Sequence, residues 1–233
     1  MGRKTPKLDE ELWAYIGTGD GMHCPLYSDC DFRNKGGWCV DDNMKFASYR
    51  CEELARVCDK VFTPGEYDFI RFDGHCKMFK LVECLAQNYL QKEGISCPPV
   101  PTSLAMLAYG LDSIEVRLVP LKVNHGGLWR LGGKWIVQLN SNDNPTRRRY
   151  TLFHEVFHIL AHLKTTPVFS KVGCGGGFFN ESLADYFATC VLAPPYLVKK
   201  EWAKFKDIAQ MAAHFDVPYI VMLVMLKRVG LIA

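Results

Sequence analysis

The sequence contains no hydrophobic segment long enough to cross a lipid bilayer. Its longest apolar run, Val217 to Leu226, has ten residues, about half the length that a membrane-spanning helix needs. Residues 1–11 alternate basic and acidic side chains, and no apolar stretch follows them, so they lack the composition of a secretory signal. We therefore expect a cytoplasmic protein that does not associate with membranes.

The sequence also lacks a strong charge bias. The formal net charge of +3 is too small to indicate a nucleic-acid partner, and we expect no direct nucleic-acid binding. The 48% hydrophobic and 23% charged residues are close to the average of globular proteins, which argues against a disordered or low-complexity chain. A length of 233 residues accommodates one ordinary domain and a small additional module.

Cysteine is concentrated in one part of the chain. Five of the ten cysteines lie within residues 24–58, and none of the ten has the CxxC spacing of compact zinc fingers. The charge balance changes nearby, because residues 1–62 carry slightly more acidic than basic side chains and the remainder carries the reverse. We therefore predict a cysteine-rich N-terminal module, residues 1–62, followed by a larger domain, residues 63–233.

The clustered cysteines are candidate metal ligands. In a reducing cytosol, thiols are metal ligands, reactive groups or core residues rather than disulfides. The surrounding segment is too polar to bury a core of its own, and a bound metal would explain how it folds. We expect Cys24, Cys30 and Cys39 to be ligands, with Cys51 or Cys58 as the fourth. Three states of these cysteines stay open: ligands of a structural zinc, ligands of an iron–sulfur cluster, and thiols that bind no metal.

The remaining chain has the pattern of an α+β domain. Apolar residues at helical spacing, without glycine or proline between them, predict a helix over Cys76–Lys92. A short helix should follow over Thr102–Tyr109, and hydrophobic alternation predicts a strand over Ile114–Leu121. Two further strands, Leu128–Leu131 and Trp135–Leu139, flank a Gly-Gly pair that is typical of a tight hairpin turn.

A long helix follows the hairpin and contains the most informative motif of the sequence. Asn144 is placed to cap this helix and Pro145 to begin it, and it should extend to about Leu163. Within it lies His154-Glu155-Val156-Phe157-His158, the HExxH pattern. An accidental match is expected only about once in a hundred chains of this composition.

The spacing of the motif has a chemical reason. Residues four apart share one face of a helix, about 6 Å apart along its axis, so the imidazoles of His154 and His158 can bind one metal ion. Glu155 beside them can take a proton from a metal-bound water. His162 continues the spacing, but it lies about 12 Å from His154 along the axis, too far to share the ion. We interpret His162 as a cation at the helix end or a satisfied surface group.

A third metal ligand is expected on the next helix. After a glycine-rich loop, Asn180 is a good capping residue for this helix, and Glu181 and Asp185 share one of its faces. Glu181 can give the metal a carboxylate oxygen. Asp185 can accept a hydrogen bond from the second ring nitrogen of a metal-bound histidine. Four apolar residues should pack this helix against the first: Ala184, Phe187, Ala188 and Val191.

These motifs resemble a known protein family. The segments 149–158, 181–188 and 192–194 are similar to the ImmA/IrrE family of zinc metallopeptidases, and the resemblance extends over about residues 98–231. It implies a zincin-like α+β fold, in which a small antiparallel or mixed sheet packs on the HExxH helix and on further helices. Val156-Phe157 is bulkier than the Leu-Gly pair common in the family, so the packing behind the helix should differ.

The resemblance also implies the site and its activity. It assigns zinc to His154, His158 and Glu181, with Glu155 as the base in peptide-bond hydrolysis. Known members cleave helix-turn-helix repressors in the cytosol, which implies such a repressor as the protein substrate. The alternative is a non-catalytic metal-binding sensor or interaction protein on the same scaffold.

Other parts of the proposed reaction have weaker sequence signals. The strand Lys134–Asn140 precedes the HExxH helix and could pair with an extended substrate, with Trp135, Val137 and Leu139 on its buried face. The candidates for stabilising the charge that develops on the scissile carbonyl are Tyr150, Tyr186 and His125.

Overall fold

The computed structural model describes residues 12–16, 24, 26, 28, 77–108, 114–122, 124–131, 134–164 and 178–232. Its strands are β1 (Ile114–Val119), β2 (Gly126–Leu131) and β3 (Lys134–Asn140), and a 3₁₀-helix spans Thr102–Ala108. The longer α-helices of these residues are α1 (Lys77–Lys92), α2 (Pro145–Lys164), α3 (Phe178–Leu192), α4 (Pro195–Phe205), α5 (Ile208–Phe215) and α6 (Tyr219–Arg228). This mixed α+β architecture confirms the predicted zincin-like fold class.

The three strands form one mixed sheet. Their order is β1-β3-β2, with β3 parallel to β1 and antiparallel to β2. Leu131 of β2 is paired with Lys134 of β3, as the predicted two-residue hairpin requires. Trp135, Val137 and Leu139 are buried, which confirms the predicted inner face of β3. This face of the sheet packs on α2.

The position of β3 corrects one expectation about the substrate. Over Trp135–Leu139, β3 is paired with β1 on one side and with β2 on the other. Its backbone donors and acceptors are therefore used within the sheet, and it has no open edge for an extended peptide. Among the strands that the structure describes, β2 lies at an edge of this sheet, and it also contacts α2. A peptide that pairs with the sheet beside α2 would therefore pair with β2.

The HExxH helix α2 begins as the sequence predicts. The side-chain oxygen of Asn144 accepts a hydrogen bond of 2.8 Å from the backbone N–H of Arg147, which caps the helix. The ring centroids of Phe157 on α2 and Phe187 on α3 lie 5.5 Å apart. α3 begins at Phe178, two residues earlier than expected, so Asn180 lies inside this helix and is buried. All four apolar residues predicted to pack α3 against α2 are buried: Ala184, Phe187, Ala188 and Val191.

The C-terminal helices are attached to α2 through Arg149. This arginine is buried, and its guanidinium donates hydrogen bonds to the backbone carbonyls of Val100, Phe215 and Asp216. It thereby satisfies carbonyls at the end of α5, where a helix leaves its acceptors without partners. Among the described helices, no single one has the length and hydrophobicity of a membrane span. α5 and α6 reach that size only as a pair bent by 110°.

Part of the N-terminal region packs against the same core. Leu12, Trp13 and Ile16 form a short helical turn and are buried, and the ring of Trp13 lies 5.7 Å from that of Phe157. Cys24 is also buried in this core. The other predicted cysteine ligands and the proposed domain boundary near residue 62 lie outside the described residues, so both stay predictions. The cysteines concerned are Cys30, Cys39, Cys51 and Cys58.

Candidate metal centre

Two neighbouring helices bring three of the predicted metal ligands together. His154 and His158 lie one turn apart on α2, and Glu181 lies in the first turn of α3, which packs against α2. The Nε2 atoms of the two histidines are 3.1 Å apart. Glu181 Oε2 lies 3.1 Å from His154 Nε2, and Glu181 Oε1 lies 3.3 Å from His158 Nε2. One ligand atom of each residue therefore lies within 4.8 Å of the other two.

These distances fit a tetrahedral zinc ion. Ligand atoms about 2.0–2.1 Å from zinc lie about 3.3–3.4 Å apart along a tetrahedral edge, close to the 3.1 and 3.3 Å separations observed. Two imidazoles and one carboxylate are also a donor set of catalytic zinc, which keeps a fourth position open. The Glu181 side chain is 41% exposed, so water or a substrate can reach this side of the cluster.

Asp185 orients His154 toward the cluster. Asp185 Oδ1 lies 2.8 Å from His154 Nδ1. Because an ionised carboxylate only accepts hydrogen bonds, Nδ1 carries the proton, and Nε2 presents its lone pair to the metal position when the ring is neutral. This is the arrangement that the sequence predicts for Asp185, one turn beyond Glu181 on α3.

Tyr150 in turn supports Asp185. Its hydroxyl donates to the backbone carbonyl of Asp185 at 3.0 Å and lies 3.2 Å from Asp185 Oδ1. Burial and the Asp185 carboxylate raise the pKa of Tyr150 well above its usual range, so the phenol keeps its proton and stays a donor. Its hydroxyl is therefore engaged with Asp185, whereas the sequence had suggested it as a partner for the scissile carbonyl.

The electrostatics of the cluster favour a bound cation. Burial by itself would lower the pKa of His154, but hydrogen bonds and charges from Asp185 and Glu181 outweigh it and raise that pKa to about 10. Burial would also raise the pKa of Glu181, but His154 and His158 hold it well below its usual range. The carboxylates thus attract positive charge to the position between the imidazoles, and a divalent metal ion can replace the proton there.

Glu155 lies against the sheet through a contact that the sequence interpretation missed. The residue is buried, and burial raises the pKa of its carboxyl above the usual range. A methyl group at Gly126, the first residue of β2, would lie 3.0 Å from Glu155 Oε1 and would overlap the Cγ2 methyl of Thr151. Gly126 therefore permits the close approach of β2 to α2 beside Glu155. Its position at the start of a strand is the signal that could have indicated this contact.

The other candidate residues lie in different surroundings. Tyr186 donates to a carboxylate of α1 at 3.0 Å. His125 Nδ1 lies 2.8 Å from Asp143 Oδ2 at an exposed position. His162 Nε2 lies 3.3 Å from Arg130 Nη1, and burial together with the Arg130 charge lowers the pKa of His162. The hydrogen-bond partner and the lowered pKa agree with the interpretation of His162 as a satisfied surface group rather than a cation at the helix end.

A comparison with known protein families identifies the region that contains His154, His158 and Glu181. The family model of the peptidase M78 group, described as the IrrE N-terminal-like domain, matches residues 112–227. The chain belongs to the ImmA/IrrE family. The IrrE-like domain includes the candidate metal ligands and the residues that support them, from Gly126 on β2 to Asp185 on α3. Family membership supports a metallopeptidase-like function and implies zinc as the metal. A comparison with curated proteins found no match.

Within the IrrE-like domain, the bulky middle of the HExxH motif is packed from two directions. Phe157 is fully buried, and its ring lies 5.5 Å from Phe187 of α3 and 5.7 Å from Trp13. Trp13 precedes the segment that matches the family. The different packing expected behind the HExxH helix therefore involves a residue from the N-terminal region of this chain.

Proposed function

We propose that this protein is a zinc-dependent endopeptidase that hydrolyses a peptide bond in a cytosolic regulatory protein. The observation that carries the proposal is the convergence of His154, His158 and Glu181 within 3.1–3.3 Å of one another, with the buried carboxyl of Glu155 beside them. A site that only binds metal has no need of a proton acceptor at this position. The alternative of a non-catalytic sensor therefore leaves Glu155 without a role.

Each residue of the site has a defined part in the proposed reaction. A zinc ion held by His154, His158 and Glu181 would polarise the scissile carbonyl and make water more acidic. Glu155 accepts a proton from the attacking water and returns it to the leaving amine. Its raised pKa suits this exchange, because a base must accept the proton and also release it. Asp185 keeps the proton of His154 on Nδ1, so that Nε2 stays available as a ligand.

The edge strand β2 is the proposed binding surface for an extended substrate. β2 contacts α2 and has its outer edge away from β3, so a peptide can add to the sheet through main-chain hydrogen bonds. Gly126 at the start of β2 lies against Glu155. A peptide paired with β2 would therefore pass the proposed base in an extended conformation.

The substitution Glu155→Gln tests the proposed reaction. The amide has the shape of the carboxyl but cannot accept the proton, so we expect a loss of kcat of about 10²- to 10⁴-fold with zinc still bound. The measurement is hydrolysis of a peptide library by zinc-loaded protein, followed by mass spectrometry, together with zinc content per chain. Glu115→Gln, which changes an exposed carboxyl on β1, is the matched control. Cleavage by Glu155→Gln at the rate of this control would contradict the mechanism.

The proposed natural substrate is a helix-turn-helix transcriptional repressor, as the family resemblance implies. The Glu155→Gln protein should bind its substrate without cleaving it, and can therefore be used to retain that substrate from a cell extract. We expect the retained proteins to include a helix-turn-helix repressor that the unmodified protein cleaves when both are purified. Retained proteins that are cleaved but contain no helix-turn-helix domain would contradict the repressor while leaving the peptidase activity in place.

A further inference from the structure

An arginine that contacts two rings lies at the end of β2, away from Glu155. Arg130 is exposed, and its Nη1 atom lies 3.3 Å from His162 Nε2. The guanidinium carbon of Arg130 lies 5.4 Å from the centre of the Trp135 ring, and the rings of Trp135 and His162 are 5.0 Å apart. We refer to Arg130, His162 and Trp135 as the Arg130 cluster. The two rings hold the guanidinium in a defined position.

The Arg130 cluster lies on the same face of the sheet as the candidate metal centre. Arg130 is directly opposite Trp135 in the pairing of β2 with β3, so the two side chains are on one face. Gly126 is on that face as well, because it precedes Arg130 by an even number of residues, and it lies against Glu155. β2 therefore runs alongside α2, from Glu155 at one end to His162 at the other.

The distance from the metal centre to the Arg130 cluster corresponds to a few residues of substrate. Along the helix axis, at 1.5 Å per residue, His162 lies about 6 Å beyond His158 and about 12 Å beyond His154, the two histidines that flank the metal position. An extended peptide advances about 3.3 Å per residue. A substrate lying along β2 would therefore bring to Arg130 a side chain two to four residues from the scissile bond.

Arg130 has hydrogen-bond donors available for a ligand. A guanidinium has five N–H donors, and one of them is directed at His162. Burial and the charge of Arg130 lower the pKa of His162, so its imidazole stays neutral and accepts this hydrogen bond. Among the residues that the structure describes, no carboxylate forms an ion pair with Arg130. The indole N–H of Trp135 is a further buried donor for which those residues supply no acceptor.

We propose that Arg130 is a specificity-determining residue that binds an acidic side chain of the substrate, two to four residues from the scissile bond. The inference rests on the proposed function, because it requires a peptide paired with the outer edge of β2, beside α2. A guanidinium recognises a carboxylate through two parallel hydrogen bonds. His162 and Trp135 position the guanidinium, which lowers the entropy lost when the substrate binds.

Peptide cleavage by the full-length, zinc-loaded protein tests this subsite. In a fluorogenic peptide that the protein cleaves, Glu, Gln or Lys is placed in turn at each of four positions on either side of the scissile bond. We expect Glu to be preferred over Gln by about tenfold in kcat/KM, which corresponds to about 1.4 kcal/mol, at a position two to four residues away on one side. The preference should come mainly from KM, because it reflects binding away from the reacting atoms.

Variants of Arg130 identify the source of the preference. Arg130→Gln should remove the preference for Glu, and Arg130→Glu should favour Lys at the same position. Arg117→Gln, on the opposite edge strand β1 where Arg117 is paired with Glu115, is the matched control and should keep it. A wild-type protein with no preference for acidic residues at these positions, or an Arg130→Gln protein with an unchanged preference, would overturn the proposal.

A binding measurement separates failure of the subsite from failure of the proposed function. If the protein cleaves no peptide, the proposed activity fails, and the subsite is then tested by the anisotropy of fluorescent peptides carrying Glu or Gln. Tighter binding of the Glu peptides that is lost in Arg130→Gln supports the subsite. Equal affinity of both sets for the wild-type protein overturns it. Circular dichroism of each variant verifies that it is folded.

Discussion

Replacing Gly126 with alanine would add one methyl group at the point where β2 contacts α2. That methyl would overlap Thr151 Cγ2, lie 3.0 Å from Glu155 Oε1 and lie 3.3 Å from the backbone carbonyl of Gln138. Overpacking of this kind costs about 1–3 kcal/mol of unfolding free energy. Where space is available, the same substitution is expected to stabilise a protein by about 0.4–1 kcal/mol, because it restricts the unfolded chain. A lower unfolding free energy for Gly126→Ala would therefore indicate close contact between β2 and α2 at this position, and a higher one would indicate available space.

Gly127 provides the matched control for this prediction. A methyl group there would meet only Trp129 Nε1 at 3.7 Å and Gln138 Oε1 at 4.0 Å, which are ordinary contacts. Urea unfolding of zinc-loaded protein should show that Gly126→Ala is destabilised and that Gly127→Ala is unchanged or slightly more stable. Gly126→Ala should also lose kcat by tenfold or more, since a base displaced by about 1 Å can cost about 10²-fold.

A second substitution tests whether overlap with Thr151 causes the loss of stability in Gly126→Ala. Thr151→Ser removes the Cγ2 methyl that the added group would overlap, so the double variant Gly126→Ala, Thr151→Ser should recover part of the lost stability. The two substitutions are in contact and should therefore not be additive. Equal unfolding free energies for Gly126→Ala and Gly127→Ala, or strict additivity with Thr151→Ser, would refute the proposed contact between β2 and α2.

Three further predictions concern the metal centre and its support. Asp185→Ala should weaken zinc affinity by about 10- to 100-fold. Asp185→Asn should weaken it less, because its amide oxygen still accepts a hydrogen bond from His154. Competition with a chromogenic chelator measures both affinities, and equal losses would contradict the role of Asp185 in orienting His154. Zinc affinity in the same assay should rise with pH. In the metal-free protein the pKa of His154 is raised to about 10, so zinc must displace a proton from this imidazole. Below pH 10, this proton alone lowers the zinc affinity by about tenfold for each pH unit. A zinc affinity that does not change between pH 6 and 9 would argue against this coupling. Phe157→Ala should lower the unfolding free energy by about 3–5 kcal/mol, and a loss below about 1 kcal/mol in urea unfolding would contradict its packing against Trp13 and Phe187.

Much of the candidate site could be predicted from short-range patterns. His154 and His158 are four residues apart, and this spacing places them on one face of a helix whatever surrounds that helix. Glu181 and Asp185 have the same spacing on α3. Both predicted helices are present, and Asn144 caps α2 as expected. The apolar pattern of Trp135, Val137 and Leu139 likewise indicated the inner face of β3 correctly.

The order of the strands could not be obtained in this way. Alternation of apolar residues shows which face of a strand is buried, but it does not show which strands are its neighbours. β3 was therefore proposed as the strand that pairs with substrate, although it lies between β1 and β2. The distinction between a central and an edge strand depends on the parallel pairing of β1 with β3.

Local spacing along the chain, with the residue types that zinc requires, was sufficient to propose the ligands, the base and the family. It was sufficient because a helix repeats every 3.6 residues and brings near neighbours to one face. The contact of Gly126 with Glu155 and the position of Arg130 between His162 and Trp135 were decided only by the tertiary structure. Both arise where β2 packs on α2, and the residues concerned are about thirty positions apart in the chain. Contacts of this length depend on how whole elements pack, and no local sequence pattern specifies that packing.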